Sequence, residues 1–199
     1  MRVVLVDAGG ANLGSVRYAL GRLGVEPELA SDADTILAAD RVILPGVSTA
    51  ATVMGRLQAL GLVEVLRALR QPLLGVCVGM QLLFAHSEED DTACLGLLPG
   101  HVRRLPAGEG VRVPHMGWNR LERRRDDPLL AGFGDDDHAY FVHSYAADVT
   151  DDCIASARHG RDFAAVVRRG NVMGAQFHPE RSAAAGARLL HNFLSTDPA

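Results

Sequence analysis

The chain has 199 residues, 48% of them apolar, and a formal net charge of −4 from 20 basic and 24 acidic side chains. That length buries a core without disulfide or metal staples, and the charge offers no basic face for nucleic acid. Every basic residue is arginine, so lysine-based chemistry is excluded. The three cysteines, Cys77, Cys94 and Cys153, form no C-x-x-C pair, which fits a reducing, cytoplasmic setting. No metal is expected, because the eight histidines are scattered without zinc-like spacing. No apolar run approaches the roughly 18 residues of a membrane span, and Met1-Arg2-Val3 enters a strand without a signal-like start.

Arg2 to Asp7 reads as a first buried strand, followed by the loop Ala8-Gly9-Gly10-Ala11-Asn12. A helix then carries Leu13, Val16, Leu20 and Leu23 on one face and stops at Gly24. A strand near Glu26 to Leu29, a short helix around Asp32 to Ala38 and a strand from Arg41 to Leu44 follow, the last halted by Pro45-Gly46. This β-α-β-α-β rhythm predicts an α/β fold, a doubly wound, mainly parallel sheet flanked by helices. Thr49 to Leu69 keeps a helical period through Val53, Met54, Leu57 and Leu60, broken or kinked at Gly61. Ser87 to Thr92 is acidic and reads as a solvated turn.

From Leu95 the rhythm changes to extra short strands: Val102 to Leu105, Val111 to Pro114, Trp118 to Leu121 and Tyr140 to Tyr145. Cys153 to Ala157, Phe163 to Val167 and Val172 to Phe177 continue them. A final helix, Ser182 to Leu194, would point Ala187, Leu190 and Leu194 inward with Ser182 as N-cap. No linker or repeat divides the chain, so residues 1–199 read as one domain.

The stretch that organises the rest is Leu73-Leu74-Gly75-Val76-Cys77-Val78-Gly79-Met80-Gln81. Cys77 stands where serine stands in the G-x-S-x-G elbow, a sharp strand-to-helix turn that exposes a nucleophile. Cβ atoms at Gly75 and Gly79 would crowd the neighbouring strand and helix. A helix N-terminus offers free N–H groups that favour a thiolate. The alternative for Cys77 is a buried cysteine of a parallel strand. A nucleophile needs a base and the base an orienter. Gln176-Phe177-His178-Pro179-Glu180 supplies both, with His178 and Glu180 two apart and on one side of an extended segment.

The elbow, the His-Pro-Glu segment and the order Cys…His…Glu resemble the class I (triad) glutamine amidotransferases. Leu44-Pro45-Gly46-Val47, Val113 to Asn119 and Tyr140 to Tyr145 resemble one branch of that family, and the likeness runs from about Val3 to Leu194. The resemblance implies a flavodoxin-like fold, and Cys77, His178 and Glu180 as a catalytic triad. It also implies an oxyanion hole from the N–H groups of Val47 and Val78. It assigns Gly46, Gln81, Ser144 and Tyr145 to L-glutamine, and Asn12, Trp118, Tyr140 and Arg181 to a partner interface. No cofactor is implied. In that branch the chain passes ammonia to a cyclase subunit, a (β/α)₈ barrel, in a heterodimer of histidine biosynthesis. The cyclase makes imidazole glycerol phosphate and an aminoimidazole carboxamide ribotide. The sequence departs from the family at Ser48, usually glycine, and at Ala8 and Ala11, usually tyrosine and glycine. A branch that makes pyridoxal phosphate carries Gly-Gly-Glu-Ser where this chain has Gly46-Val47-Ser48. A cysteine hydrolase or a binding module of similar fold would have no use for the separate His178–Glu180 pair.

Overall fold

The computed structural model describes residues 1–9 and 12–196. Gly10 and Ala11, within the altered loop after the first strand, lie outside the described residues. The first half alternates strand and helix: β1 (Val3–Val6), α1 (Leu13–Gly21), β2 (Glu28–Ala30), α2 (Ala33–Leu37), β3 (Arg41–Gly46), α3 (Ala50–Ala59), α4 (Val63–Ala68) and β4 (Leu73–Cys77). A four-residue helix, α5 (Val78–Gln81), leaves β4 directly. Short strands follow: β5 (His86–Ser87), β6 (Thr92–Ala93), β7 (His101–Arg104), β8 (His115–Arg120), β9 (Glu122–Arg123), β10 (His138–His143) and β11 (Tyr145–Ala147). The chain closes with β12 (Cys153–His159), β13 (Arg161–Arg169), β14 (Val172–Ala175) and α6 (Ala183–Ser195).

The main sheet has the order β2-β1-β3-β4-β14-β13-β12-β9. Its β2-β1-β3-β4-β14 portion is parallel, and β14-β13-β12-β9 is antiparallel. The inner parallel strands β1, β3, β4 and β14 are buried on both faces, so they read as largely apolar runs such as Val3–Val6 and Leu73–Cys77 rather than alternating ones. Phe84, Phe141, Phe163, Phe177 and Phe193 are fully buried, and each such side chain contributes about 1.5–3 kcal/mol of transfer free energy. Asp32 and Thr49 cap α2 and α3 by accepting the N–H groups of Thr35 and Thr52.

Several expectations shift. β3 does not stop at Pro45 but runs through Pro45 and Gly46, which pair with Val76 and Cys77. Val42 donates towards β4, so alternation turns the nitrogen of Pro45 to the β1 side, where pairing has ended at Ile43. The proline therefore costs no ladder bond. Residues 111–114 form no strand beyond an isolated bridge from Val111 to Gly108. Leu60 is exposed at the end of α3, after which Gly61 breaks the helix at φ +68°. In α6 the inward face is Ala185, Gly186, Leu189, Leu190 and Phe193, while Ala187 is exposed and Leu194 half-buried. Ser182 does not cap α6 with its side chain. Its hydroxyl donates to His178 O at 2.7 Å and accepts from Tyr140 N at 2.9 Å, tying the turn after β14 to β10.

Candidate active site

β4 ends on Cys77, whose backbone is at φ +55°, ψ −114°. A non-glycine residue there is strained, and tight surroundings must hold it. A Cβ on Gly79 would lie 1.8 Å from Leu44 O, and one on Gly75 would lie 2.5 Å from Gly79 O. α5 can therefore press onto β3 and β4 only because both elbow positions are glycine. Gly46 sits beside the elbow with no room for a side chain: its Cβ would be 2.9 Å from Val78 Cβ and Gly79 N. α5 has only four residues, and its free N–H groups follow Cys77 directly, with the His178 imidazole opposite the thiol.

β14 lies between β4 and β13, and the chain leaves it towards the same end of the sheet as Cys77. Pro179 opens a 3₁₀ turn, Pro179–Arg181, so the segment is not extended as the spacing suggested. The turn folds Glu180 back under the imidazole, and His178 Nδ1 contacts Glu180 Oε1 at 2.9 Å. Asn12 Nδ2 donates to the same oxygen at 2.6 Å, holding the carboxylate from α1. His178 Nε2 is thereby left for Cys77. Burial lowers the pKa of His178, but hydrogen bonds and charge from Cys77 and Glu180 outweigh it and raise the ring to about 10. Burial likewise pushes Glu180 up, and His178 and Asn12 outweigh it, leaving the carboxyl below its usual range. The two shifts agree on a buried imidazolium–carboxylate pair beside the thiol.

These three residues line a cavity of about 300 Å³. Val47, Ser48, Val78, Gln81, Ser144 and Tyr145 line it too, as do Asn12 and Arg181 at its edge. Gln81 Nε2 is committed to Tyr145 O at 2.8 Å and Gln176 Oε1 at 3.1 Å, which leaves Oε1 as its acceptor for a ligand. Gly46 does not line it but packs behind Val78 and Gly79 of the elbow. Trp118 and Tyr140 stand outside the cavity, paired across β8 and β10 with rings 6.0 Å apart. Arg181 lies over Tyr140, 4.8 Å from the ring centroid. Trp118 is 54% and neighbouring Met116 65% exposed, an apolar ribbon face beside the cavity mouth.

Two residues escaped the sequence reading. Glu89, inside the acidic run, is half-buried in a 3₁₀ turn and lines the cavity, where its carboxylate accepts Ala50 N at 2.8 Å. Burial raises its pKa, partly offset by that N–H. Only the docking of its turn onto α3 distinguishes Glu89 from solvated Asp90 and Asp91. Gln176 is fully buried and points its Nε2 at Cys77 Sγ, 3.9 Å away; its position directly before Phe177-His178 was the available signal. Among the described residues no group of three histidine, cysteine, aspartate or glutamate side chains could hold a metal. No helix among the described residues is long and apolar enough to cross a membrane.

A cysteine at a strand-to-helix elbow of a doubly wound sheet thus faces a histidine–carboxylate pair from the strand beside it. The chain belongs to the class-I glutamine amidotransferase family, whose model matches residues 4–196. Within that family it is similar to proteins named "Imidazole glycerol phosphate synthase subunit HisH". That of Xanthomonas oryzae pv. oryzae is 62% identical over 192 residues, 96% of each chain. That of Xylella fastidiosa (strain Temecula1) is 60% identical over 197 residues, 99% of this chain and 98% of the relative. Among solved structures, one described as a glutamine amidotransferase superposes with a TM-score of 0.77 at 23% identity, covering 98% of both chains. A Trypanosoma brucei CTPS glutaminase domain gives a TM-score of 0.68 at 16% identity, over 100% of this chain and 96% of that one. These two likenesses bear on the fold alone.

Proposed function

We propose that the chain is the glutaminase subunit of an imidazole glycerol phosphate synthase, hydrolysing glutamine to glutamate and ammonia for histidine biosynthesis. The observation that carries the reading is the meeting of Cys77, His178 and Glu180 in one cavity, on a chain about 60% identical to such subunits over nearly its whole length. The Cys77 thiolate attacks the side-chain carboxamide, and the oxyanion takes the N–H groups of Val78 and Val47. The His178 imidazolium gives its proton to the leaving ammonia, leaving a γ-glutamyl thioester. The same ring, now neutral, takes a proton from the water that hydrolyses the thioester, and Glu180 orients it throughout. Glutamate formed from glutamine in a mixture with a cyclase barrel tests the reading; a mixture that makes none overturns it.

The amino-acid end of glutamine lies against Gln81, Ser144 and Tyr145, and Gly46, expected to touch it too, acts only through the elbow that it packs behind. Its α-ammonium needs a carboxylate, and Glu89 is the half-buried one that the cavity offers besides Glu180. Glu89→Gln keeps an oxygen for Ala50 N but loses the charge. A hydrogen bond to a charged group contributes about 1.5–3 kcal/mol, so KM for glutamine should rise about 10–100-fold with kcat little changed. An unchanged KM in steady-state kinetics would remove Glu89 from the substrate site.

The partner is a cyclase subunit, a (β/α)₈ barrel, docked as a heterodimer over the cavity mouth so that ammonia passes directly. The exposed Trp118, with Tyr140, anchors the contact, and Arg181 and Asn12 border it. Arg181 needs an acidic counterpart on the barrel. Arg181→Glu would set like charges face to face, and affinity should fall about tenfold or more. Stability of the free subunit should hardly change. Titration of the barrel into both proteins decides it: equal affinity and equal stimulation would place Arg181 off the interface.

A further inference from the structure

Outside the groups that carry the reaction, three side chains and a carbonyl form a hydrogen-bonded row. His143 Nδ1 contacts Tyr145 O at 2.8 Å. His143 Nε2 lies 3.0 Å from His115 Nδ1, and His115 Nε2 lies 3.2 Å from Asn119 Nδ2. The row has one possible direction. A carbonyl oxygen only accepts, so His143 Nδ1 carries a proton. At the far end Asn119 Oδ1 accepts from Arg120 N at 2.8 Å, and Nδ2 donates to Arg158 O at 2.9 Å. Those bonds orient the amide and aim its second N–H at His115. His115 Nε2 is therefore an acceptor, its Nδ1 the donor, and His143 Nε2 the next acceptor.

Both rings are then neutral, which their burial favours: it pushes His115 down to about 4 and His143 to about 3. His115 is also gripped between the rings of Phe141 and His159, with centroids 5.0 and 4.1 Å away, so the imidazole is held in plane. The row ends on a carbonyl that Gln81 Nε2 shares. Every polar atom in it has its partner, the condition under which a buried network rigidifies a structure.

We infer that His115 and His143 are positioning residues for glutamine: the one-way row from Asn119 fixes the His143–Ser144–Tyr145 wall that receives the substrate's amino-acid end. This rests on the glutaminase reading above. The rings act through the wall and not on the reacting carboxamide, so their loss falls on KM. Because Asn119 neighbours Trp118 on β8, the ribbon face and the wall share one rigid connection.

The test begins with the ¹⁵N-labelled full chain. Between about pH 6 and pH 9, imidazole nitrogen shifts should show both rings protonated at Nδ1 and bare at Nε2. In the complex with the cyclase, His115→Phe keeps the stack but removes both nitrogens, and KM for glutamine should rise about tenfold with kcat within about threefold. His115→Asn sets an amide N–H near the Nδ1 position and should recover most of that loss. Asn119→Leu, which removes the first donor without adding charge, should raise KM in the same direction. Nε2-protonated rings in the wild-type chain overturn the proposal, as does an unchanged KM in both His115→Phe and Asn119→Leu. Failure of His115→Asn to recover also overturns it. The ring states are read without turnover, so expected rings in a chain that forms no glutamate with its partner would count against the functional reading alone.

Discussion

Cys77→Ser should lower glutamate release by at least about a thousandfold while leaving the fold intact, since the triad loses its nucleophile. Serine fits the elbow sterically, but its hydroxyl reaches the reactive anion far less readily than a thiol does. An electrophilic glutamine analogue should label Cys77 alone. Burial pushes the thiols of Cys94 and Cys153 up to about 11, and neither lines the cavity. Peptide mapping of the labelled chain and a glutamate assay of the variant check both parts. Equal labelling of Cys94 or Cys153, or full activity in Cys77→Ser, would remove Cys77 from the reaction.

The second large effect belongs to His178. His178→Asn keeps an N–H for Glu180 yet cannot shuttle a proton, so kcat should fall by roughly a hundredfold to ten-thousandfold. The pair also predicts how stability follows pH. The folded pKa of His178 is raised from 6.5 to about 10. Its stabilising contribution is therefore complete below 6.5 and is lost as pH climbs towards 10. Glu180 is shifted the opposite way, from an ordinary 4.5, so its contribution is present above that value and fades as pH falls below it. The stability difference between wild type and His178→Asn should be widest between 4.5 and 6.5 and shrink on the alkaline side. Denaturant titrations across that range measure it, and a difference that grows with rising pH would contradict the imidazolium assignment.

How much of this was legible in the sequence depended on how local each cause was. The elbow was readable because its requirement is local: three positions, two of them too crowded for a Cβ. The four inner strands of the parallel side, β1, β3, β4 and β14, were readable because burial on both faces writes itself as an apolar run. His178 and Glu180 were found for a reason that the backbone then changed, since Pro179 begins a turn instead of extending a strand. The inward face of α6 was misjudged at Ala187 because an alanine-rich stretch phases poorly. Glu89 was hidden, since an acidic run looks solvated until β5, β6 and the turn between them dock it on α3. The meeting of His115, His143 and His159 was hidden too. It depends on the register that sets His115 opposite His143 and on the packing of the β12–β13 hairpin against that pair. No spacing along the chain encodes either.

The most direct test of the account is glutamate release from glutamine by the purified chain, alone and with a cyclase barrel and the barrel's own ligand. An idle glutaminase would waste substrate, so the oxyanion donor of Val47 should be misplaced until the partner docks, while the elbow already fixes that of Val78. Supplying one such donor is worth about a hundredfold to a thousandfold in kcat. The chain alone should be nearly silent and the mixture should rise by about that factor, with Ser48→Gly changing the basal rate. A free chain already running at the rate of the mixture would contradict partner gating, and a mixture that forms no glutamate would contradict the assignment itself.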